Sequence, residues 1–176
     1  MDTETERRFL VGDLSIVRGA QWQLLTQAYV FTADSYAIRV RLVQEQIEFS
    51  ADVLDRAAFL TGKGPDFGFG TARKREEYEV SVSPLWARQV IDRAGNVVTK
   101  RRYHVLMNEA WDVDEFLGEN EGLCIAELEG GDQVGNVPLP PWASRDISKD
   151  PRFDNDQLAV RPWSTWPDEE RQQAYG

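Results

Sequence analysis

The chain has 176 residues, 41% of them hydrophobic, and its 30 acidic and 20 basic residues give a formal net charge of -10. That length suffices for one domain with a buried core. The charge argues against a general nucleic-acid binder, which usually presents a basic face. The single cysteine, Cys124, excludes a disulfide framework and a zinc ribbon. We expect a cytoplasmic protein, because the sequence has neither a membrane-length apolar run nor a signal-peptide pattern.

Eight segments of the sequence predict β-strands. They are rich in β-branched and aromatic residues, and Gly, Pro and Asn clusters separate them. Short gaps between successive segments favour hairpins and an antiparallel sheet. In chain order the predicted strands cover residues 3–11, 22–31, 36–43, 58–63, 73–82, 98–105, 108–116 and 122–129.

Two helices are predicted between these strands, at residues 51–57 and 85–91. Ser83 could cap the second helix, and Pro84 suits its first turn because that position has no intrahelical N–H bond to lose. The chain after residue 138 is rich in Pro, Trp and Asp and is expected to pack irregularly over the sheet. We therefore predict one domain over residues 1–167 and a polar C-terminal tail over 168–176.

Charged side chains recur at every second position of the predicted strands and so share one face of each strand. In the fifth strand, for example, Arg75, Glu77 and Glu79 lie on one face while Tyr78 and Val80 lie on the other. The same alternation places together Glu4, Glu6 and Arg8; Arg39 and Arg41; Lys100 and Arg102; Asp112 and Asp114; and Glu127 and Glu129, while Lys63 ends the fourth strand.

The signs of these charges separate three explanations. Alternation usually marks the wet face of a half-exposed sheet. Here, however, like charges are neighbours about 7 Å apart, and each such pair repels by roughly 2 kcal/mol at an effective dielectric near 20. Internal salt bridges could neutralise them, but dry burial of many ions costs more than the pairs recover. A wet, enclosed cavity that binds counter-ions avoids both objections.

The chemistry of the two signs suggests the ligands of such a cavity. Carboxylates without histidine or thiol partners suit hard divalent cations such as Mg²⁺ or Mn²⁺. Clustered Arg and Lys side chains suit phosphate oxygens. The sequence therefore predicts a metal–polyphosphate site inside a closed β-barrel.

An ordered series of motifs over about residues 3–160 resembles the CYTH superfamily, the triphosphate tunnel metalloenzymes. The first motif alone is weakly specific, whereas the ordered series is strongly so. The motifs are Glu4-Thr-Glu6-Arg-Arg8-Phe-Leu-Val, Gln27-Ala-Tyr29, Arg39-Val-Arg41, Thr61-Gly-Lys63, Arg75-Glu-Glu77-Tyr-Glu79, Lys100-Arg-Arg102-Tyr, Asp112-Val-Asp114-Glu-Phe, Glu127-Leu-Glu129 and Asp150-Pro-Arg152-Phe153.

The resemblance implies a mainly β fold, an eight-stranded antiparallel closed barrel forming a tunnel, with a few flanking helices. Members of this superfamily hydrolyse tripolyphosphate, thiamine triphosphate or RNA 5′-triphosphates, and some make cyclic AMP. Short chains with this opening motif are mostly similar to inorganic triphosphatases. The expected partner is thus a small-molecule triphosphate, with no nucleic acid and no membrane, and the chain is expected to be a monomer or a homodimer.

The resemblance also implies roles for individual residues, with two Mg²⁺ or Mn²⁺ ions as cofactors. Lys100 and Tyr29 are the candidates for steering the attacking water. The expected metal-holding or metal-orienting residues are Glu4, Glu6, Glu77, Glu79, Asp114, Glu127 and Glu129. The residues expected to bind the triphosphate are Arg8, Arg39, Arg41, Lys63, Arg75, Lys100 and Arg102.

Three departures from the family pattern, and several other residues, carry separate expectations; one departure is Gly62, which stands where an apolar residue is common and could mark a bulge. Arg8 replaces the usual lysine, and its planar fork could change the phosphate pose. The segment 43–57 is longer than expected and could form a lid or an oligomer contact. His104 could reach the lumen but is more often a surface residue. Asp150 and Arg152 are expected to seal one tunnel mouth.

The remaining alternatives are a thiamine or nucleoside triphosphatase, an adenylyl cyclase of the same fold and a non-catalytic sensor.

Overall fold

The structure, a computed structural model, describes residues 2–46 and 52–175, with the backbone alone at residue 46. Strands dominate this part of the chain, as the alternating sequence predicts. The strands are β1 Asp2–Val11, β2 Trp22–Ala33, β3 Tyr36–Gln46, β4 Val53–Lys63, β5 Arg73–Ser81, β6 Val97–Leu106, β7 Ala110–Phe116, β8 Cys124–Glu129 and β9 Ala143–Asp146. The α-helices are α1 Pro84–Ile91, α2 Asn155–Val160 and α3 Asp168–Tyr175.

The first eight strands form a closed antiparallel barrel, which confirms the predicted fold class. Their order is β5-β4-β3-β2-β6-β7-β8-β1, and β1 closes the barrel by pairing with β5 through residues 2–6. The other half of β1 pairs with the short strand β9, which lies outside the closed ring. Closure leaves the eight strands with one enclosed face and one outer face.

The prediction of a helix at residues 51–57 is wrong. From Val53 onward this segment belongs to β4, where Val53 pairs with Gln46 and Ala57 pairs with Val43 of β3. So short a helix would be marginal on its own, and the neighbouring strand β3 offers backbone hydrogen-bond partners along the segment, with a bulge at Arg56. Asp55 strengthens the pairing, since Gln44 Nε2 donates to its carboxylate at 2.8 Å. Residues 47–51, part of the segment expected to form a lid or an oligomer contact, lie outside the described part of the chain.

The predicted helix after Pro84 is confirmed as α1, although the Ser83 side chain makes no capping hydrogen bond. The helix packs on the outer face of the barrel. Its fully buried Ala87 contacts a small apolar cluster formed by Val40, Leu42 and Ala58 of β3 and β4. Among the described helices, none is long and apolar enough to cross a membrane.

The C-terminal segment fills one end of the barrel with apolar side chains. Leu10 and Ile125 lie on the charged faces of β1 and β8. Leu10 comes two residues after Arg8, and Ile125 comes two residues before Glu127. They pack with fully buried Phe153 and Leu158 and with Trp163. Residues 168–175 form α3, whose buried Ala174 joins the same cluster, and the proposed division at residue 167 stays a prediction. The charged interior is therefore closed on this side by a hydrophobic plug.

Candidate active site

A cavity of about 710 Å³ occupies the charged part of the barrel interior. Residues from several strands line it because alternate side chains of each strand point inward. Except for Lys100 and Asp114, all the predicted site residues line this cavity. They are Glu4, Glu6, Arg8, Tyr29, Arg39, Arg41, Lys63, Arg75, Glu77, Glu79, Arg102, Glu127 and Glu129.

Three carboxylates converge on one point of the wall, and we call them the carboxylate trio: Glu4, Glu6 and Glu129. Glu6 and Glu129 are direct partners across β1 and β8, and Glu4 lies two residues before Glu6 on the same face. One carboxylate oxygen from each residue lies within 4.8 Å of the others. A donor set of oxygen alone fits a hard divalent cation. Among the described residues this is the one such group of three.

The trio is short of positive charge at Glu129. Lys63 Nζ lies 2.8 Å from Glu4, and Arg75 Nη2 lies 3.4 Å from Glu6. Glu129, by contrast, forms no ion pair with any described residue. Partial desolvation inside the barrel, together with the like charges of Glu127 and Glu4, raises the pKa of the Glu129 carboxyl to about 7. The side chain nevertheless remains open to the cavity.

Four arginines face the cavity with donors that are not satisfied. The Nε atoms of Arg8, Arg39, Arg41 and Arg75 are buried and have no hydrogen-bond partner in the described structure. A buried donor left unpaired costs about 1–3 kcal/mol, and more for a charged group. Together with Lys63 and Arg102, these four guanidinium groups line one cavity, and this concentration of positive charge fits an anion with several oxygens, of which a polyphosphate is the chemically matched class.

Other luminal charges hold one another in place. Lys63 bridges Glu4 and Glu77, with 2.8 Å to each carboxylate. Arg41 Nη2 and the Thr61 hydroxyl both donate to Glu79, at 2.9 and 2.8 Å. These contacts fix the side chains without filling the cavity.

A second group, the Arg102 network, lies deeper and contains both predicted residues that do not line the cavity. Arg102 donates two hydrogen bonds of 2.7 Å to Asp114 and further bonds to Asp112 and Glu127. Lys100 Nζ contacts the same Asp114 carboxylate, and neither residue exposes any surface. Burial lowers the pKa of Lys100, although Asp114 and Glu127 oppose that effect. Asp114 thus holds Arg102 from the buried side of the network, and Lys100 in turn contacts Asp114.

Tyr29, the other predicted catalytic residue, lines the cavity beside Arg39, its direct partner across β2 and β3. Its phenol donates to Gln27 Oε1 at 3.1 Å. Burial raises the pKa of the phenol well above its ordinary value of 10.0. The Tyr29 phenol is therefore protonated at neutral pH and can donate a hydrogen bond.

Three residues near the cavity were given no individual role from the sequence. Asp112, which the alternation places on the charged face of β7, lines the cavity beside Arg102. Arg73 lies on the charged face of β5, so the same alternation could have identified it. Asp154, which also lines the cavity, lies in an irregular segment where no periodicity points inward.

Three other residues lie apart from the cavity. Asp150 and Arg152, expected to seal a tunnel mouth, pair with each other at 2.6 Å, and Arg152 also pairs with Glu170 of α3. His104 is exposed, and its Nδ1 lies 2.6 Å from Asp112. None of the three lines the 710 Å³ cavity.

A closed eight-stranded barrel with acidic and basic side chains facing its interior is the architecture of the triphosphate-tunnel class of proteins. No family model matches the sequence. The chain is 32% identical over 169 residues to an inorganic triphosphatase of Acetivibrio thermocellus, and the alignment covers 94% of this chain and 99% of that protein. The chain therefore belongs to the inorganic triphosphatase family of triphosphate tunnel metalloenzymes.

Two further comparisons agree with this assignment. An inorganic triphosphatase of Nitrosomonas europaea is 28% identical over 170 residues, covering 90% of this chain and 97% of that protein. The crystal structure of the inorganic triphosphatase NE1496 superposes with a TM-score of 0.61 at 25% identity, covering 91% of this chain and 96% of that one. Triphosphatases with this tunnel fold are generally metal-dependent.

Proposed function

We propose that the protein is a metal-dependent triphosphatase that hydrolyses inorganic tripolyphosphate to phosphate and pyrophosphate inside the barrel. The observation that carries this proposal is the pairing of two unsatisfied sets in one cavity. The carboxylate trio suits a cation, and the guanidinium groups of the four arginines that line the same cavity suit an anion. A metal–triphosphate complex supplies both.

The residues divide into two working groups. Glu4, Glu6 and Glu129 would hold the divalent cation, for which we propose Mg²⁺ or Mn²⁺ because all the donors are oxygens. When bound, the cation supplies charge neutralisation and Lewis acidity at the phosphate oxygens. Arg8, Arg39, Arg41, Lys63, Arg75 and Arg102 would bind the triphosphate and stabilise the charge that develops on the transferring phosphoryl group.

The remaining predicted roles are refined by the positions of the side chains. We propose that Lys100 and Asp114 orient Arg102 and do not touch substrate, since both are fully buried. A second metal ion would have to use Glu77 or Glu79 together with substrate oxygens, because these acids are bound to Lys63 and Arg41. The protonated Tyr29 phenol, beside Arg39, is suited to orient a phosphate oxygen or a water by donating a hydrogen bond.

We also propose a cellular location, a class of partner and an assembly for the protein. The buried, unpaired Cys124 supports a cytoplasmic location, where thiols stay reduced. The basic groups of the site point into the barrel, so nucleic acid and membranes are not expected partners. A monomer or a homodimer remains the proposed assembly.

The direct test is phosphate release from tripolyphosphate with Mg²⁺ or Mn²⁺, compared with EDTA. Glu129→Gln should lower metal-dependent turnover by about 100-fold or more, because it removes a charged oxygen ligand. Glu76→Gln is the matched control, since Glu76 lies on β5 with its side chain exposed outside the lumen. Full activity in Glu129→Gln would contradict the proposed metal site.

The same assay distinguishes the alternatives. Thiamine triphosphate and ATP are tested in parallel, with cyclic AMP measured as a product. Preference for thiamine triphosphate or ATP, or formation of cyclic AMP, would replace the proposed substrate or reaction. Tight binding of tripolyphosphate without phosphate release would instead indicate a sensor.

A further inference from the structure

The C-terminal segment places one carboxylate, that of Asp154, at the end of the charged interior. Fully buried Phe153 and Leu158 anchor the segment in the hydrophobic plug on either side of it. The Asp154 side chain is 14% exposed and lines the 710 Å³ cavity. The packing of these two neighbours therefore fixes the position of Asp154.

Asp154 binds two arginines of the barrel wall. Arg8 Nη2 donates to its Oδ1 at 2.7 Å, and Arg73 Nη2 donates to its Oδ2 at 2.9 Å while Arg73 Nη1 contacts Oδ1. Arg8 also donates to the Phe153 carbonyl at 3.2 Å. Guanidinium groups bind carboxylate and phosphate with the same forked geometry, so Asp154 takes up arginine donors that a phosphate group could otherwise use.

Helix capping does not explain this carboxylate. Asp154 is the N-cap residue of α2, a position where Asp commonly accepts a bond from the first helical N–H groups. Its side chain makes no capping hydrogen bond and turns toward the two arginines instead. Arg8 supplies one of the guanidinium groups that reach it.

Asp154 also lies where the main cavity adjoins a second one of about 460 Å³. The second cavity opens between the β2–β3 turn, at Asp34 and Ser35, and the loop that follows β4. Lys63, Arg75, Asp154 and Asp156 line both cavities and so form the boundary between them.

We propose that Asp154 is a specificity-determining residue that limits the polyphosphate chain to the length held by the first cavity. This inference rests on the proposed function and names the feature that selects the substrate's length. The carboxylate occupies the donors of Arg8 and Arg73 that would otherwise bind a phosphate group passing the boundary. A triphosphate is accepted, and a tetraphosphate is discriminated against.

The test compares tripolyphosphate with tetrapolyphosphate in Asp154→Asn and Asp154→Ala. The kcat/KM ratio of tetrapolyphosphate to tripolyphosphate should rise by about tenfold in both variants, the effect of gaining one charge-assisted hydrogen bond. A calorimetric titration in EDTA should show the same change in the ratio of Kd values. Asp156→Asn is the matched control, because it removes the same charge at the same boundary without releasing an arginine, and its ratio should stay unchanged.

Two results would overturn the proposal. One is an unchanged ratio in the Asp154 variants, with unfolding curves that show folded protein; Asp154→Asn, of nearly identical shape, serves if Asp154→Ala does not fold. The other is an equal rise in Asp156→Asn, which would show a general charge effect. If the unmodified protein hydrolyses neither compound, the proposed function fails, whereas the titration in EDTA still measures the discrimination by Asp154.

Discussion

Glu127 and Glu129 lie two residues apart on the same face of β8, yet their electrostatic surroundings are opposite. Burial alone would raise the pKa of Glu127, but the positive charges of Lys100 and Arg102 outweigh burial and lower it well below its ordinary value. At Glu129 burial and the charges of Glu127 and Glu4 act together and raise the pKa to about 7. Basic side chains of the protein compensate the charge of Glu127, whereas no described residue forms an ion pair with Glu129.

This difference divides the charged interior into two functional parts. In the Arg102 network each carboxylate is paired with a base, and we propose that the network positions the Arg102 guanidinium group. In the carboxylate trio Glu129 forms no ion pair with a described residue, and we propose that a cation from solution binds there. A tunnel of alternating charges is therefore not a uniform binding surface, because the partners of each side chain decide whether it holds the protein together or holds a ligand.

The largest expected effect concerns the balanced part. Asp114→Ala should lower the free energy of unfolding by about 3–5 kcal/mol, because it leaves the buried charges of Lys100 and Arg102 without their shared partner. Urea denaturation followed by circular dichroism measures this loss. A loss below about 1 kcal/mol, the value typical of exposed pairs, would show that the network is not a buried structural unit.

The next effect concerns the incomplete part. Mg²⁺ or Mn²⁺ at 100 times its Kd should stabilise the protein by about 2.7 kcal/mol, because the ion binds the folded state alone. Thermal unfolding with and without the metal measures the stabilisation. Glu129→Gln should lose most of it at the same metal concentration, and Glu76→Gln should retain it. Equal stabilisation of all three proteins would mean that the metal binds elsewhere.

A smaller effect is expected on the outer face of the same strands. Arg101 and Glu115 pair across β6 and β7 at 3.3 Å, one residue along from the buried pair of Arg102 and Asp114. Their side chains are 39% and 29% exposed, so Arg101→Ala should cost about 1 kcal/mol or less. Urea denaturation beside Asp114→Ala gives the comparison. A cost similar to that of Asp114→Ala would remove the distinction between inner and outer pairs.

The smallest effect is the pH dependence of the metal-free protein. The folded-state pKa of Glu129 is raised from an ordinary 4.5 to about 7, so its contribution favours folding at low pH and is lost as the pH rises from about 4.5 through 7. Because cavity water screens the charge, the loss should be about 1 kcal/mol or less. Unfolding in EDTA at pH 5 and pH 8 measures it. Glu129→Gln should show a smaller difference between the two pH values; an identical difference would contradict the raised pKa.

The alternation of charge predicted most of the fold and of the cavity lining, because strand periodicity fixes which face a side chain occupies. It could not predict depth along the barrel. Lys100 and Asp114 share the faces of Arg102 and Asp112, yet they lie next to the hydrophobic plug and are buried. Most of that plug comes from a distant part of the chain, and Val98 and Phe116, which end the charged faces of β6 and β7, also belong to it.

Two other differences have the same origin in tertiary contacts. The segment at residues 53–57 forms a strand because β3 extends beside it, which local helix propensity does not anticipate. Asp154 enters the lumen because Phe153 and Leu158 anchor an irregular segment across the barrel end. In both cases the partner surface, and not the local sequence, decides the outcome.

Anomalous diffraction from crystals grown with Mn²⁺ tests most directly the claim that the trio is the metal site. We expect the strongest anomalous peak inside the barrel to lie between the carboxylates of Glu4, Glu6 and Glu129. A fully occupied Mn²⁺ bound elsewhere, with these three carboxylates free of metal, would contradict it.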